Sequence, residues 1–161
     1  MERIESFKVD HLNLDKGLYV SRKDCKEGCA VTTFDLRFTA PNKEPVMDMP
    51  ALHTIEHLGA TYLRNSQFKD DVVYFGPMGC RTGFYLLLRD SVSPQAAIDL
   101  VKDAFAFIAE FDGEIPGSTR VECGNYLEHD LEGAKASAKD MLSVLRNWNT
   151  EMLSYAYHGA D

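Results

Sequence analysis

His53, Glu56 and His57 stand in the run Leu52-His53-Thr54-Ile55-Glu56-His57-Leu58. At about 100° of turn per helical residue their side chains fall within an arc of roughly 100°, so one helix face carries all three. Two imidazoles one turn apart can grip a borderline divalent cation from one side. A carboxylate beside them is placed to handle protons at an open coordination position. The commoner fate of such residues is a solvated polar face, so a metal site needs further ligands and proton carriers elsewhere in the chain. The inverted His-x-x-Glu-His order also marks a group of zinc peptidases whose third ligand is a distant glutamate. Glu132 is the residue that would fill that part here.

Four cysteines, at 25, 29, 80 and 123, are the next candidates. Cys123 lies in Glu122-Cys123-Gly124-Asn125-Tyr126, a non-helical stretch free to approach a metal held elsewhere. Cys80 lies in Gly76-Pro77-Met78-Gly79-Cys80-Arg81-Thr82-Gly83, where glycines permit an exposed side chain at a strand edge and Arg81 supplies charge favouring a thiolate. A buried, inert cysteine is the ordinary alternative. Cys25 and Cys29 read as loop thiols, since a structural zinc would need a second ligand pair. Asp35 and Arg37 share one face of a strand and form either a solvated pair or, if that face lines a cleft, a device for holding an anion or thiolate.

The elements that position these residues follow from periodicity. Ile4, Phe7 and Val9 suggest a short strand over residues 4–10, with His11 directly after it. Residues 15–28 read as a polar turn region. Phe34, Leu36 and Phe38 alternate with Thr33, Asp35 and Arg37 in a strand over 30–39. The helix bearing His53 is expected over 49–66, with Ile55, Leu58, Tyr62 and Leu63 on its buried side. Val72–Phe75 and 82–88 read as paired strands around the Gly-Pro connection. Ser93 and Pro94 start a helix that runs to about residue 111, and Asp130 caps a last long helix. The tail from Asn149, including His158, reads as a further helical piece or an ordered arm. This order implies an α+β fold: a mainly antiparallel sheet with helices on one face. The other face needs cover, which a second subunit can supply.

The 161 residues suit one domain, 1–161, with a sizeable core. A net charge of −8 argues against nucleic acid, which calls for a basic surface. No apolar run approaches bilayer length and no basic, then apolar, leader opens the chain, so the expectation is a water-soluble, cytoplasmic protein with no membrane partner and reduced thiols.

Taken together, His53-Thr-Ile-Glu56-His57-Leu, Gly76-Pro-Met-Gly-Cys80-Arg-Thr-Gly-Phe-Tyr85 and Cys123-Gly-Asn-Tyr126 with His129 resemble the LuxS family of S-ribosylhomocysteine lyases. Glu5-Ser6-Phe7, His11, Phe34-Asp-Leu-Arg37-Phe38 and Pro41-Asn-Lys43 are similar to that family's N-terminal half. The resemblance implies a LuxS/metallohydrolase-like fold and a homodimer that buries the sheets, with two active sites at the interface. Each site would hold one divalent metal, natively Fe²⁺, with Zn²⁺ or Co²⁺ possible, on His53, His57, Cys123 and a water. Cys80 and Glu56 would be the acid/base pair, and Ser6, His11, Asp35, Arg37 and Arg64 would surround the substrate. The implied reaction cleaves S-ribosylhomocysteine to L-homocysteine and 4,5-dihydroxy-2,3-pentanedione, an autoinducer precursor, linking methyl-cycle recycling to quorum sensing. The family's frequent Asp-Ile-Ser before Pro-Met-Gly-Cys is here Tyr74-Phe75-Gly76, which leaves the contacts to the homocysteine portion open.

Overall fold

The computed structural model describes Glu2 and residues 4–155. Four strands, β1 (Gly17–Lys26), β2 (Cys29–Arg37), β3 (Val72–Pro77) and β4 (Gly83–Arg89), form an antiparallel sheet in the order β1-β2-β4-β3. Register is set by the alternation in β2: Phe34 pairs with Leu86 and Leu36 with Phe84, so these four point to the same face. Helices α1 (Met49–Asn65), α2 (Pro94–Glu110) and α3 (Leu131–Leu145) cover that face. Ile55, Leu58, Ile98, Phe105, Ile108, Ala138 and Met141 meet the strand residues in one apolar core, each at most 1% exposed. The α+β expectation, with helices on one side of an antiparallel sheet, is met.

The helix starts follow the capping chemistry expected. Ser93 accepts a hydrogen bond from the Ala96 N–H ahead of Pro94, and Asp130 accepts one from the Gly133 N–H. In α3, Ala134, Ala138, Met141 and Leu145 are buried, while Leu131 and Leu142 are only partly buried against the core.

Two stretches differ from the sequence expectation. Residues 4–10 do not form a strand; Glu5–Phe7 is a 3₁₀ turn closed by the Phe7 N–H on the Ile4 carbonyl, and Ile4 and Phe7 are exposed. Their spacing of three matches a 3₁₀ period rather than strand alternation. Residues 15–28 are not a loop: most of them form β1, paired with β2 through a two-residue turn at Glu27 and Gly28, both at positive φ (51° and 79°). That is the hairpin geometry that suits the twist of the flanking strands. The outer half of β1 is exposed, so nothing there required the apolar alternation by which a half-buried strand is read. Cys25 pairs with Ala30 and Lys26 with Cys29, so the two thiols project to opposite faces of the hairpin. Past Asn149 the expected helical piece is a 3₁₀ turn over Thr150–Leu153, and His158 lies outside the described residues.

Among the described residues no helix is long and apolar enough to cross a membrane.

Candidate metal centre and thiol network

Helix α1 presents His53, Glu56 and His57 away from the core, toward the chain between α2 and α3. There the two imidazoles meet Cys123 and His129, and the potential ligand atoms of these four residues lie within 4.8 Å of one another. The long connection is folded by its own hydrogen bonds. Cys123 N–H donates to the Thr119 carbonyl at 2.9 Å, Thr119 Oγ1 donates to Glu122 at 2.6 Å, and Asn125 Nδ2 donates to the Glu128 carboxylate.

The same connection fixes the imidazoles. His53 Nδ1 lies 2.8 Å from the Glu128 carbonyl and His57 Nδ1 lies 2.8 Å from the Pro116 carbonyl. A carbonyl only accepts, so each Nδ1 carries the proton and each Nε2 is left with a bare lone pair. This is the outer support that metal-bound histidines require. Gly117 is needed for it: its φ is +72°, and a Cβ there would come within 3.3 Å of His57 Nδ1. The Cys123 sulfur sits 3.4 Å from His53 Nε2 and accepts the Asn125 N–H at 3.4 Å.

His129 is a third imidazole, and its tautomer follows from its neighbour. Thr54 Oγ1 donates its only hydrogen to the Pro50 carbonyl at 2.9 Å, so it can only accept from His129 Nδ1 at 3.1 Å. The His129 Nε2 is then a bare acceptor, buried, and without a partner among the described residues. Burial, followed by His53 and His57, lowers its pKa, keeping it neutral. The ring lies nearly parallel to His53, with centroids 4.1 Å apart and planes 20° apart. Lone pairs in two near-parallel planes do not converge on one ion about 2 Å from each nitrogen. His53 and His57, at 85°, are under no such restriction. Donor set, tautomers and outer supports fit a divalent metal held within this cluster. Glu56 is half-buried and lines a shallow groove with His57, Ala60, Thr61, Pro116 and Gly117. Glu132 does not reach the cluster: its side chain is 85% exposed and pairs with Lys135. The peptidase reading has no third ligand there.

Cys80 belongs to a second cluster, at the end of the sheet on the side away from the helices. Asp35 and Arg37, 1% and 3% exposed, form a buried pair rather than a solvated one, joined at 3.0 and 2.5 Å. Tyr155 donates to Asp35 at 2.6 Å, and Arg37 Nη1 donates to Thr82 Oγ1 at 2.6 Å. Thr82 Oγ1 lies 3.1 Å from the Cys80 sulfur. Burial acts to raise the thiol's pKa, but the Thr82 hydrogen bonds and the Arg37 charge outweigh it and hold Cys80 below the ordinary thiol value. The charge comes from Arg37, whereas Arg81, at positive φ of 59°, shapes the turn that leaves Cys80 exposed.

The remaining expected site residues are dispersed. Ser6 lines a pocket on the open sheet face with Ser21, Arg22, Thr33, Tyr74 and Tyr85. His11 Nδ1 bonds the Val9 carbonyl at 2.8 Å. Arg64, at the end of α1, reaches the carbonyls of Val72 and Val73 at 3.4 and 3.3 Å.

A family model described as S-ribosylhomocysteinase (LuxS) matches residues 4–152. The chain belongs to the LuxS family. Among its relatives, the S-ribosylhomocysteine lyase of Finegoldia magna is 52% identical over 155 residues, spanning 96% of this chain and 99% of the relative. Those of Clostridium acetobutylicum and Phocaeicola vulgatus are 49% and 50% identical, each across 96% of this chain and 99% and 98% of their own lengths. In this LuxS chain, sequence reasoning assigned no role to Tyr155, and none to His129 or Thr82 beyond their place in the runs that carry the resemblance. His129 was within reach as the residue before the Asp130 cap. Thr82 follows Cys80 at the spacing of two that brings a hydroxyl back to a turn residue.

Proposed function

We propose that the protein is a metal-dependent S-ribosylhomocysteine lyase, a single domain over residues 1–161, acting as a cytoplasmic homodimer. The observation that carries the reading is the pair of imidazoles whose Nδ1 protons are committed to the Pro116 and Glu128 carbonyls, leaving both Nε2 atoms bare beside the Cys123 sulfur. His53, His57 and Cys123 would hold the ion, and this nitrogen and sulfur set suits Fe²⁺, Zn²⁺ or Co²⁺, with Fe²⁺ implied by the family likeness. When bound, the ion supplies Lewis acidity toward the sugar carbonyl, making the protons on neighbouring carbons easier to remove.

The chain's own residues then move protons. Removal of the C2 proton and its return at C1 shifts the carbonyl to C2. The same exchange between C3 and C2 brings it to C3. Loss of the C4 proton then expels the C5 sulfur, which is protonated to L-homocysteine while the five-carbon product becomes 4,5-dihydroxy-2,3-pentanedione. Cys80, kept below the ordinary thiol pKa, takes and returns protons on one side of the sugar, and Glu56 does so on the other. The buried, unpartnered His129 Nε2 would accept a hydrogen bond from a substrate hydroxyl or a water. Ser6, His11, Asp35, Arg37 and Arg64 would frame the substrate.

The metal group and the Cys80 group share no residue, and the surface carries exposed apolar side chains, among them Val121 and Leu127 on the loop that bears Cys123 and Tyr74 beside Ser6 and Tyr85 on the open sheet face. Such exposure favours burial against a second copy. A two-fold pairing that sets the metal loop of one copy over the thiol end of the other would yield two sites per dimer.

The test is release of free thiol from S-ribosylhomocysteine by metal-reconstituted protein. Stoichiometric homocysteine is the expected result; no thiol at any metal loading overturns the proposal.

A further inference from the structure

The directions of the hydrogen bonds that hold Arg37 beside Thr82 are fixed by groups that cannot reverse them. A guanidinium only donates, and a carboxylate only accepts. Arg37 places Nε and Nη2 on Asp35, and Asp35 Oδ2 also takes the Tyr155 hydroxyl at 2.6 Å, so the guanidinium is held in one pose. Its Nη1 then donates to Thr82 Oγ1 at 2.6 Å. Having accepted there on one lone pair, the Thr82 hydroxyl keeps its hydrogen to give, and the Cys80 sulfur, 3.1 Å away, can take that hydrogen or offer its own to the second lone pair. When Thr82 donates, the sulfur is the acceptor, which is the part a thiolate plays and a thiol plays poorly. Thr82 is 5% exposed, so water competes little for that hydrogen.

We propose that Thr82 is a positioning residue whose hydroxyl, aimed by Arg37, donates to Cys80 and holds its sulfur as the thiolate. Tyr155 serves the same end at one remove by fixing Asp35. The inference deepens the lyase reading, in which Cys80 carries protons, but it can be tested without turnover.

The experiment follows iodoacetamide alkylation of Cys80 against pH in the full chain, resolved peptide by peptide by mass spectrometry. Cys25, exposed at the hairpin, serves as an internal reference. In the unaltered protein Cys80 should reach half-maximal reactivity at a lower pH than Cys25. Thr82→Val should move the Cys80 midpoint up by about one pH unit, an approximately tenfold loss of thiolate below the midpoint, while leaving Cys25 where it was. Thr82→Ser, which keeps the hydroxyl, should restore it, and Tyr155→Phe should give a smaller upward shift. A folded Thr82→Val protein with an unmoved midpoint overturns the proposal. So does a Cys80 midpoint at or above that of Cys25 in the unaltered protein, a comparison that stands even if a variant fails to fold. Lyase assays on the same proteins separate the two levels. A shifted midpoint with unchanged kcat supports the Thr82 device and counts against proton transfer by Cys80.

Discussion

The metal group and the thiol group solve the same problem, holding a reactive atom in one protonation state, with different materials. Around the metal, backbone carbonyls of Pro116 and Glu128 fix His53 and His57. Around Cys80 the work is done by side chains, in a chain from Tyr155 through Asp35, Arg37 and Thr82. A carbonyl support is indifferent to which side chain its residue carries, provided the backbone path holds. A side-chain relay is exposed to every substitution along it. The metal group should therefore fail mainly at its ligands and its one special glycine, and the thiol group at each link.

The largest expected effect is loss of a ligand. His57→Ala or Cys123→Ala should abolish both metal retention, read by elemental analysis, and thiol release. Cys80→Ala should break the comparison at its other end: activity falling on the order of 10²- to 10⁴-fold, the usual worth of a positioned proton carrier, with metal content unchanged. A Cys80→Ala protein that lost its metal would mean the two groups are not separate. Gly117→Ala comes next. With φ at +72° and His57 Nδ1 3.3 Å from the new methyl, the Pro116 carbonyl must shift, and metal affinity should fall about 10- to 100-fold, as it does when an outer support is removed. Chelator competition reads this directly.

The unequal legibility of the two groups in the sequence has the same origin. Helical periodicity shows His53, Glu56 and His57 on one face, and the stripes of α2 and α3 follow from capping and spacing, because these features are local. Strands β2, β3 and β4 were legible because one side of each is buried in the core. Strand β1 was missed because its outer half faces water, so its sequence obeys no alternation. His129 arrives at the metal by the path of the loop, which no period encodes. Tyr155 meets Asp35 from the far end of the chain. The Asp35 and Arg37 pair was visible as neighbours on a strand, but neither its burial nor its bond to that distant tyrosine is encoded locally.

His129 sharpens the comparison from within the metal group, since it alone there is held by a side chain, Thr54. His129→Phe keeps a ring stacked on His53 but removes the Nε2 acceptor. Metal content should hold, and the visible spectrum of the Co²⁺ form should keep its sulfur and nitrogen character. The value of kcat/KM should fall about tenfold, as for one lost hydrogen bond of ordinary strength. Loss of the ion would instead make His129 a ligand and would require the two stacked rings to part.

The smallest effect is expected at Glu132, and it decides between two chemistries. In a peptidase built on the inverted His-x-x-Glu-His order, the downstream glutamate completes the metal site, and removing it empties that site. Here Glu132 lies in the first turn of α3 with its side chain 85% exposed, and its nearest opposite charge, Lys135, is 3.8 Å away. An exposed pair of that kind contributes little. Glu132→Ala should leave metal content and thiol release unchanged and shift unfolding stability by no more than about 0.5 kcal/mol. A loss of metal on this substitution would return the chain to the peptidase reading, because nothing about Glu132 as it stands on α3 accounts for such a loss.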